Sequence, residues 1–374
     1  MRTPRPQFRS PLHLLLLAAA LLVLAACSGP EARQTTIIPQ GDHAQRIYDL
    51  LLPIFWMGMA VFVVVEGLLI YTVLRFRRRS NAIPAQIHGN TRIEILWTIA
   101  PALIVLVIAV LTFRTQMLTA ELTINPQNPV EVTAVGHQWW FEFRYPGLGE
   151  GGEDLVTASD MYIPVGRPVR VTLQGADVIH NFWVPKLAGK TYMIPGKTNY
   201  LAFTAAQPGI YRAVCAEFCG EAHALMRFRV IAVPEDEFQR WVEQRAVPPS
   251  AAAPGSLTVG GLTGDPARGQ EIFLDPRRQC ISCHAVDGTE ARGVIGPNLT
   301  YYGSRLTIAA GILPYSPENL SDWLHRAYEI KPGNLMSRVI TPQWIDANLS
   351  EQDIADLVAY LDSMKLSVNL PPEN

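Results

Sequence analysis

The sequence predicts a multidomain membrane protein with two N-terminal transmembrane helices, an all-β domain and an all-α domain. Hydrophobic residues make up 49% of the 374 residues and charged residues only 17%, as expected for a chain with membrane segments. Alternating strands separated by Pro-Gly turns occupy residues 121–233. Capped helical segments fill residues 265–374, after a predicted linker at residues 234–264.

Residues 1–27 have the pattern of a secretory signal peptide. Three arginines precede an apolar run, which ends in Leu24-Ala25-Ala26-Cys27 before a turn. Small residues directly before a cysteine are typical of a bacterial lipoprotein signal, so the pattern predicts lipidation of Cys27. The alternative is an ordinary signal peptide with an incidental cysteine. Either interpretation places the mature N-terminus outside the cytoplasm.

Residues 28–120 contain the two predicted transmembrane helices. The apolar stretches 47–74 and 95–111, the second with its flanks, are each long enough to cross a bilayer. Five arginines lie between them: Arg75, Arg77, Arg78, Arg79 and Arg92. The positive-inside rule places this basic turn in the cytoplasm and everything after Leu118 outside it.

Two acidic residues lie in or near these stretches. Glu66 is inside the first stretch, where a charge is costly, and we interpret it as a protonated residue that packs against a larger subunit. Glu94 lies at the inner boundary of the second stretch. Its position alone indicates an interfacial anchor.

The segment from Val214 to Met226, called here the copper loop, carries the ligand types of a soft-metal site. Its candidate ligands are Cys215, Cys219, His223 and Met226, and His180 lies upstream. Thiolate and thioether ligands select copper over harder ions. Two thiolates can bridge a pair of copper ions, each completed by one histidine, with Met226 and the Glu217 carbonyl as weak outer ligands. A disulfide, a structural zinc site, or a purely structural Met226 are the alternatives.

Residues 121–233 are predicted to form a sandwich or Greek-key barrel of cupredoxin type. Val130 to Val135 and Val169 to Leu173 alternate like half-buried strands. In such a scaffold, functional residues lie on loops at one end. We therefore expect the copper ligands there.

Cys280-Ile281-Ser282-Cys283-His284 has the signature of c-type haem attachment. The two thiols would form thioether bonds to the haem, and His284 would bind the iron as proximal ligand. A redox dithiol is the alternative, but it does not need His284. Helices are predicted at Ala267 to Phe273, after Ser316, and after Ser350.

The sixth iron ligand is predicted to be Met336, in the segment from Lys331 to Met336, called here the methionine loop. A methionine after a Pro-Gly turn is typical of a class I cytochrome c, and a thioether keeps the redox potential high. The rivals are His325, on the preceding helix, and Met364, near the C-terminus.

These residues, together with Gly136-His137-Gln138-Trp139-Trp140, resemble subunit II of haem-copper cytochrome c oxidases with its dinuclear copper (CuA) domain, here with a fused cytochrome c. The resemblance implies that His180, Cys215, Glu217, Cys219, His223 and Met226 hold the copper pair. It implies that an exposed Trp139 receives electrons and that Glu94 marks the mouth of a proton path into subunit I. It also implies that Glu217 contributes to a magnesium or manganese ion shared with subunit I.

The function implied is electron input to an aerobic respiratory oxidase. Electrons from cytochrome c, or from a cytochrome bc complex, would pass through haem c and CuA to subunit I, coupled to oxygen reduction and proton translocation. Subunits I and III would be partners. The protein would lie in a bacterial inner membrane, with its C-terminal domains on the periplasmic side. The alternative is a membrane-anchored electron carrier or redox-sensing module that acts without an oxidase core. The net charge of -2 gives no sign of nucleic-acid binding.

Overall fold

The computed structural model describes residues 15, 34–77, 86, 88–249 and 256–373. The predicted lipidation site Cys27 and, apart from Leu15, the predicted signal peptide lie outside the described residues. Arg78 and Arg79 of the basic turn lie outside them as well.

Two long apolar helices lead into the β domain. They are α1 (Asp42–Arg75) and α2 (Thr91–Ile124), each of 34 residues, and both are long and apolar enough to cross a membrane. At 1.5 Å per residue each is about 51 Å long, which exceeds a hydrocarbon core of about 30 Å. The excess reaches the β domain, where the Ala202 amide donates to Thr123 Oγ1 at 3.4 Å. Residues 121–124, assigned to the β domain from sequence, belong to α2.

The β domain is a sandwich of two five-stranded sheets around an apolar core, as the sequence predicts. One sheet has the order β3-β2-β1-β5-β8 and the other β4-β10-β9-β6-β7. The strands are β1 Val130–His137, β2 Trp140–Tyr145, β3 Leu155–Ala158, β4 Asp160–Pro164, β5 Val169–Gly175, β6 His180–Trp183, β7 Thr191–Met193, β8 Asn199–Phe203, β9 Gly209–Cys215 and β10 Arg227–Val233.

Strand register brings the copper loop and His180 to the same end of the second sheet. β9 ends at Cys215 and its antiparallel neighbour β10 begins at Arg227, so the loop between them crosses one end of that sheet. On the other side of β9, Phe182 of β6 pairs with Cys215. Because β6 is antiparallel to β9, its first residue, His180, lies beyond Cys215, toward the loop.

The predicted linker contains regular structure. Helix α3 (Glu235–Ala246) packs on the β domain through Phe238 and Trp241, both buried in its core. Trp241 stacks on Tyr162 with ring centroids 4.7 Å apart. The short hairpin of β11 and β12 then joins the α domain, so residues 234–264 include docked elements at both ends.

The α domain is built around its last helix. Its elements are β11 Leu257–Val259, β12 Leu262–Gly264, α4 Pro266–Leu274, α5 Cys280–Cys283, β13 Thr307–Ile308, β14 Leu313–Pro314, α6 Pro317–Ile330, α7 Leu335–Val339, α8 Pro342–Asn348 and α9 Glu351–Ser363. Ser316 and Ser350 cap α6 and α9, which confirms both predicted helix starts. Residues 353–362 of α9 are buried on every face of the helix.

The two extracytoplasmic domains touch each other directly. The Leu306 amide donates to the buried carboxylate of Asp160 in β4 at 2.9 Å, and the Arg227 amide donates to the Ala310 carbonyl at 3.1 Å. The C-terminal tail, residues 366–373, then runs back over the β domain, where the Ile210 amide donates to the Pro372 carbonyl at 2.9 Å. The α domain is therefore held against the β domain by packing and by its own tail.

Candidate metal centre and haem site

The structure gathers the predicted copper ligands at one end of the β domain. The Cys215 and Cys219 sulfurs are 3.8 Å apart, and each has one imidazole nearby: His180 Nδ1 lies 4.0 Å from Cys215, and His223 Nδ1 lies 3.6 Å from Cys219. Met226 Sδ lies 3.8 Å from the Cys219 sulfur. Donor atoms of His180, Cys215 and Cys219 fall within 4.8 Å of one another.

The outer contacts of this cluster also match the predicted arrangement. The Glu217 carbonyl lies 3.3 Å from the Cys215 sulfur, on the opposite cysteine from Met226. A disulfide needs a sulfur–sulfur separation of about 2.05 Å, so the 3.8 Å spacing leaves both thiols free. Two thiols, two imidazoles, one thioether and one carbonyl are donors that suit a pair of copper ions bridged by sulfur.

Asp177 fixes the His180 ring. Its Oδ1 lies 2.7 Å from His180 Nε2, which leaves Nδ1 facing Cys215, and its Oδ2 accepts from the Gln138 amide at 2.6 Å. Such an outer carboxylate sets ring orientation and tautomer in metal sites. Gly136 lies against the other side of the ring, where a Cβ would come within 2.9 Å of it. Any larger residue at position 136 would displace His180.

Hydrogen bonds shift the protonation of the cluster. Burial alone would raise the pKa of Asp177, but its bonds to His180 and to the Val178 and Gln138 amides hold that pKa below its usual range. Burial would lower the pKa of His180, yet Asp177 and Cys215 raise it. The Cys219 thiol lowers the pKa of Cys215, while that of Cys219 rises. One thiolate therefore forms readily, and cation binding would displace the second proton.

Trp139 anchors the copper loop from inside the protein. Its indole Nε1 donates to the Cys219 carbonyl at 3.0 Å, and Gln138 Nε2 donates to the same oxygen at 2.8 Å. The expectation of an exposed Trp139 is wrong, because only 5% of this residue is accessible. The carbonyl of Trp139 accepts from Lys331 of the α domain at 2.6 Å, so the α domain occupies the space above it.

The haem-attachment segment is arranged for a proximal histidine. Cys280 and Cys283 bracket the single turn of α5, and both are free thiols. His284 Nδ1 lies 2.8 Å from the Pro297 carbonyl, so Nε2 remains free to bind iron. Burial lowers the pKa of His284, which favours the neutral ring that binds metal. A Cβ at Gly296 would lie 2.6 Å from the His284 ring, so glycine is required beneath it.

The structure separates Met336 from its two rivals. Met336 lies on the short helix α7, which is capped by the buried side chain of Asn334. Both ring nitrogens of His325 are engaged, Nδ1 with the Ser321 carbonyl at 2.8 Å and Nε2 with Glu351 at 3.2 Å. Met364 is part of the apolar core of the α domain. His325 and Met364 therefore have other structural roles, which leaves Met336 as the candidate sixth ligand.

Glu94 lies in the first turn of α2. Its Oε1 accepts from the Asn90 amide at 3.1 Å, and the Asn90 side chain accepts from the Arg92 and Ile93 amides, so the two residues cap the helix together. Glu66 lies in the middle of α1 with its side chain exposed to the surroundings of the helix. Neither carboxylate contacts the metal or haem segments.

Sequence reasoning missed Asp177 and Lys331, both of which contact these sites. Asp177 stands three residues before His180, and an acidic residue so close to a candidate ligand histidine was a usable signal. Lys331 gave no signal, because its partners Trp139 and Ala309 are distant in sequence. Only the packing of the two domains brings these groups together.

Comparisons with known proteins agree with this arrangement. Family models for the periplasmic domain of cytochrome c oxidase subunit II, for its transmembrane domain and for cytochrome c match residues 130–233, 34–115 and 266–365. Cytochrome c oxidase subunit 2 of Alkalihalophilus pseudofirmus is 36% identical, over 94% of this chain and 96% of that protein. The chain belongs to the cytochrome c oxidase subunit 2 family.

Other relatives extend the comparison. Cytochrome c oxidase subunit 2 of Bacillus subtilis is 31% identical, over 94% of this chain and 97% of that protein. The solved periplasmic domain of subunit II of cytochrome oxidase from Bradyrhizobium japonicum is 32% identical over 32% of this chain and 95% of its own length, with a TM-score of 0.30.

Membership of the family fixes the broad role of the chain. It is a subunit of an oxidoreductase complex and pairs with a haem-copper oxidase core. Its copper domain implies CuA and its fused cytochrome domain implies haem c, and the gathered thiols and imidazoles fit the copper pair. The two apolar helices and the periplasmic-type domain indicate a membrane-anchored protein with an extracytoplasmic part.

Proposed function

We propose that this chain is the electron-input subunit of a respiratory oxidase and that electrons reach its copper centre through its own haem. The observation that carries this proposal is the packing of the methionine loop against the copper loop and against Trp139, whose indole binds that loop. Lys331 donates to the Trp139 carbonyl at 2.6 Å, and Gly333 lies against Glu221 of the copper loop. From the copper centre, electrons would go on to the haem-copper centre of subunit I, coupled to reduction of oxygen to water and to proton translocation.

The residues that hold the cofactors follow from the geometry. Each copper or haem centre, when bound, accepts and releases one electron at a time. His180, Cys215, Cys219, His223 and Met226, with the Glu217 carbonyl, would hold the copper pair. Cys280 and Cys283 would bind the haem covalently, and His284 and Met336 would bind its iron. Asp177 keeps His180 in the orientation and tautomer that such a ligand needs.

The burial of Trp139 supports input through the internal haem. An external cytochrome could not dock on this indole, because it is buried in the core of the β domain against the copper loop. We propose that Trp139 acts between the methionine loop and the copper loop rather than as an outer docking point. The external donor, a cytochrome c or a cytochrome bc complex, would then meet the α domain.

The remaining assignments rest on family membership and position. Glu94, at the inner end of α2, would stand at the mouth of a proton path in subunit I, and the Glu217 carboxylate would contribute to a magnesium or manganese ion shared with that subunit. Subunit III would complete the assembly. The chain would lie in a bacterial inner membrane, with Cys27 lipidated and both cofactor domains on the periplasmic side.

The proposal is tested by purifying the full chain from membranes with its partners attached. We expect a pair of copper ions and a single covalent haem per chain, together with a large polytopic subunit that carries further haem. Rapid mixing with a reduced cytochrome should reduce the haem before the copper pair. A single zinc ion, absence of covalent haem, or copper that is reduced before the haem would contradict it. Isolation with both cofactors but no polytopic partner would favour a carrier without an oxidase core.

A further inference from the structure

Lys331 is a buried cation between the two cofactor domains. Only 4% of it is accessible, and its ammonium group donates to the Trp139 carbonyl at 2.6 Å and to the Ala309 carbonyl at 3.0 Å. In the described part of the chain, no carboxylate lies within ion-pair distance of it. Burying an ammonium group with only neutral partners costs free energy. Lysine is therefore rarely buried in this way where its role is only to fill space.

The electrostatic surroundings of Lys331 point to the copper loop. Burial lowers the pKa of Lys331 to about 7, and the thiol of Cys219, when ionised, raises it. The group whose ionisation raises the pKa of Lys331 is thus the thiol of Cys219, a predicted copper ligand, rather than a carboxylate. A copper loop carrying thiolates would favour the charged form of Lys331.

A chain of hydrogen bonds runs through Lys331 from one site to the other. The Lys331 carbonyl accepts from Asn334 Nδ2 at 2.6 Å, and Asn334 Oδ1 accepts from the Ser337 amide, which caps the helix that carries Met336. At the other end, Lys331 binds the carbonyl of Trp139, whose indole binds the Cys219 carbonyl at 3.0 Å. The helix that carries Met336 is thus connected by hydrogen bonds to the backbone of the copper loop.

Gly333 brings the methionine loop close to the copper loop itself. It has a φ of +77°, a conformation that favours glycine, and a Cβ there would lie 2.3 Å from a carboxylate oxygen of Glu221. A side chain at this position would be strained at this φ and would have to displace the Glu221 carboxylate. The two contacts lie on either side of Pro332, so they fix the loop at adjacent points.

We infer that Lys331 is a positioning residue that locks the methionine loop onto Trp139, and through Trp139 onto the copper loop, and so sets the rate of electron transfer between haem and copper. This inference rests on the proposed function, because it assigns a partner to the methionine loop within the same electron path. A linker such as the one predicted at residues 234–264 would by itself only tether the haem domain near the copper domain. A tethered domain would sample many orientations, whereas the Lys331 contact selects one.

The test compares the wild-type complex with Lys331→Met, which keeps the length of the side chain but removes its donors. We expect unchanged haem and copper spectra, a fall in the haem-to-copper electron-transfer rate by about tenfold or more, and a broader haem-to-copper distance distribution by pulsed electron paramagnetic resonance. Lys365→Met is the matched control, because Lys365 is half-exposed and pairs with Asp362 in its own domain. This control should retain the wild-type rate and distance distribution.

Each outcome decides between explanations. A Lys331→Met complex with intact spectra, a wild-type rate and a wild-type distance distribution overturns the inference and leaves the proposed function standing. A wild-type complex that shows no haem-to-copper transfer overturns the proposed function itself. If Lys331→Met does not assemble, Gly333→Ala decides, since it pushes the same loop from Glu221 without changing the buried cation. It should slow transfer with intact spectra, and an unchanged rate would again overturn the inference.

Discussion

The side chains of Asp160 and Lys331 are buried where the α domain meets the β domain. Each bonds to backbone groups of the other domain rather than to an opposite charge: Asp160 to the Leu306 amide and Lys331 to the Trp139 carbonyl. Backbone partners of this kind leave no trace in the composition of either segment. At the scale of single residues, the interface therefore depends on a few polar groups whose burial is costly and whose geometry is specific.

Asp160 makes the stability of the folded chain depend on pH. Burial raises its pKa to about 6 from 3.8, despite the Leu306 amide and the nearby Arg305 and Arg229. Because the folded pKa is above the unfolded one, the free energy of unfolding falls as pH rises through 3.8 to 6 and stays lower above it. The shift corresponds to about 3 kcal/mol.

Asp160→Asn should remove this dependence. We expect a higher midpoint of thermal unfolding at pH 8 than in the wild type and a flatter profile between pH 3.8 and pH 6, where the wild type loses stability. The amide of the variant keeps an oxygen that can accept from the Leu306 amide. Asp154→Asn, at an exposed site, is the control and should follow the wild type. Parallel profiles for Asp160→Asn and the wild type would show that this carboxyl is not the source of the effect.

Loss of Met336 should leave the haem iron with a free coordination position. In Met336→Ala the iron loses its sixth ligand, so the reduced haem should bind carbon monoxide, which the wild type should resist. His325→Ala should behave like the wild type, because both nitrogens of His325 are held by Ser321 and Glu351. The measurement is the optical spectrum with and without carbon monoxide. Binding to His325→Ala but not to Met336→Ala would reverse the assignment.

At the scale of elements, the C-terminal tail covers an open part of strand β9. Within the described residues, the neighbouring strand β6 pairs with Val214 and Cys215 and does not extend along the beginning of β9. The Ile210 amide donates there to the Pro372 carbonyl, and Glu373 pairs with Arg212 at 2.7 Å. An exposed strand edge leaves backbone groups unpaired and open to association with other chains. The tail bonds to these groups and also holds the α domain close to the β domain.

Deletion of residues 368–374 should free this edge. We expect amide exchange at Ile210 to speed up by about tenfold or more, because the Pro372 carbonyl that accepts from this amide is removed. Val135, in the middle of β1, should keep its wild-type exchange rate and serves as an internal control. The haem spectrum should also be unchanged. Equal exchange at Ile210 in both proteins would mean that the tail contact contributes nothing to the protection of this amide.

At the scale of the whole molecule, two apolar helices lead into two domains that pack directly against each other. Helix α2 continues beyond the thickness of the bilayer and meets the β domain, so the copper end is held at a fixed height above the membrane. The α domain rests on the β domain through α3, the methionine loop and the tail. This arrangement suits a subunit that must deliver electrons to a membrane-embedded partner from a fixed position.

The sequence alone determined the chemistry of both sites and the order of the domains. Ligand types at fixed spacing predict metal and haem binding without knowledge of the fold. Helix caps such as Ser316 and Ser350 bond to backbone amides a few residues away, so they too can be predicted from local sequence. The length of an apolar stretch likewise predicts a membrane helix, because the thickness of the bilayer sets the length of any helix that spans it. These properties depend on neighbours in sequence.

Only the tertiary structure decided how the two sites face each other. Burial of Trp139, the Asp177 contact that orients His180, and the position of Lys331 all follow from segments far apart in the chain. Such contacts are set by strand register and by the packing of one domain on another, and neither leaves a periodic signal in the sequence. The sequence could therefore predict a tethered haem domain, but its docked position depends on three-dimensional packing.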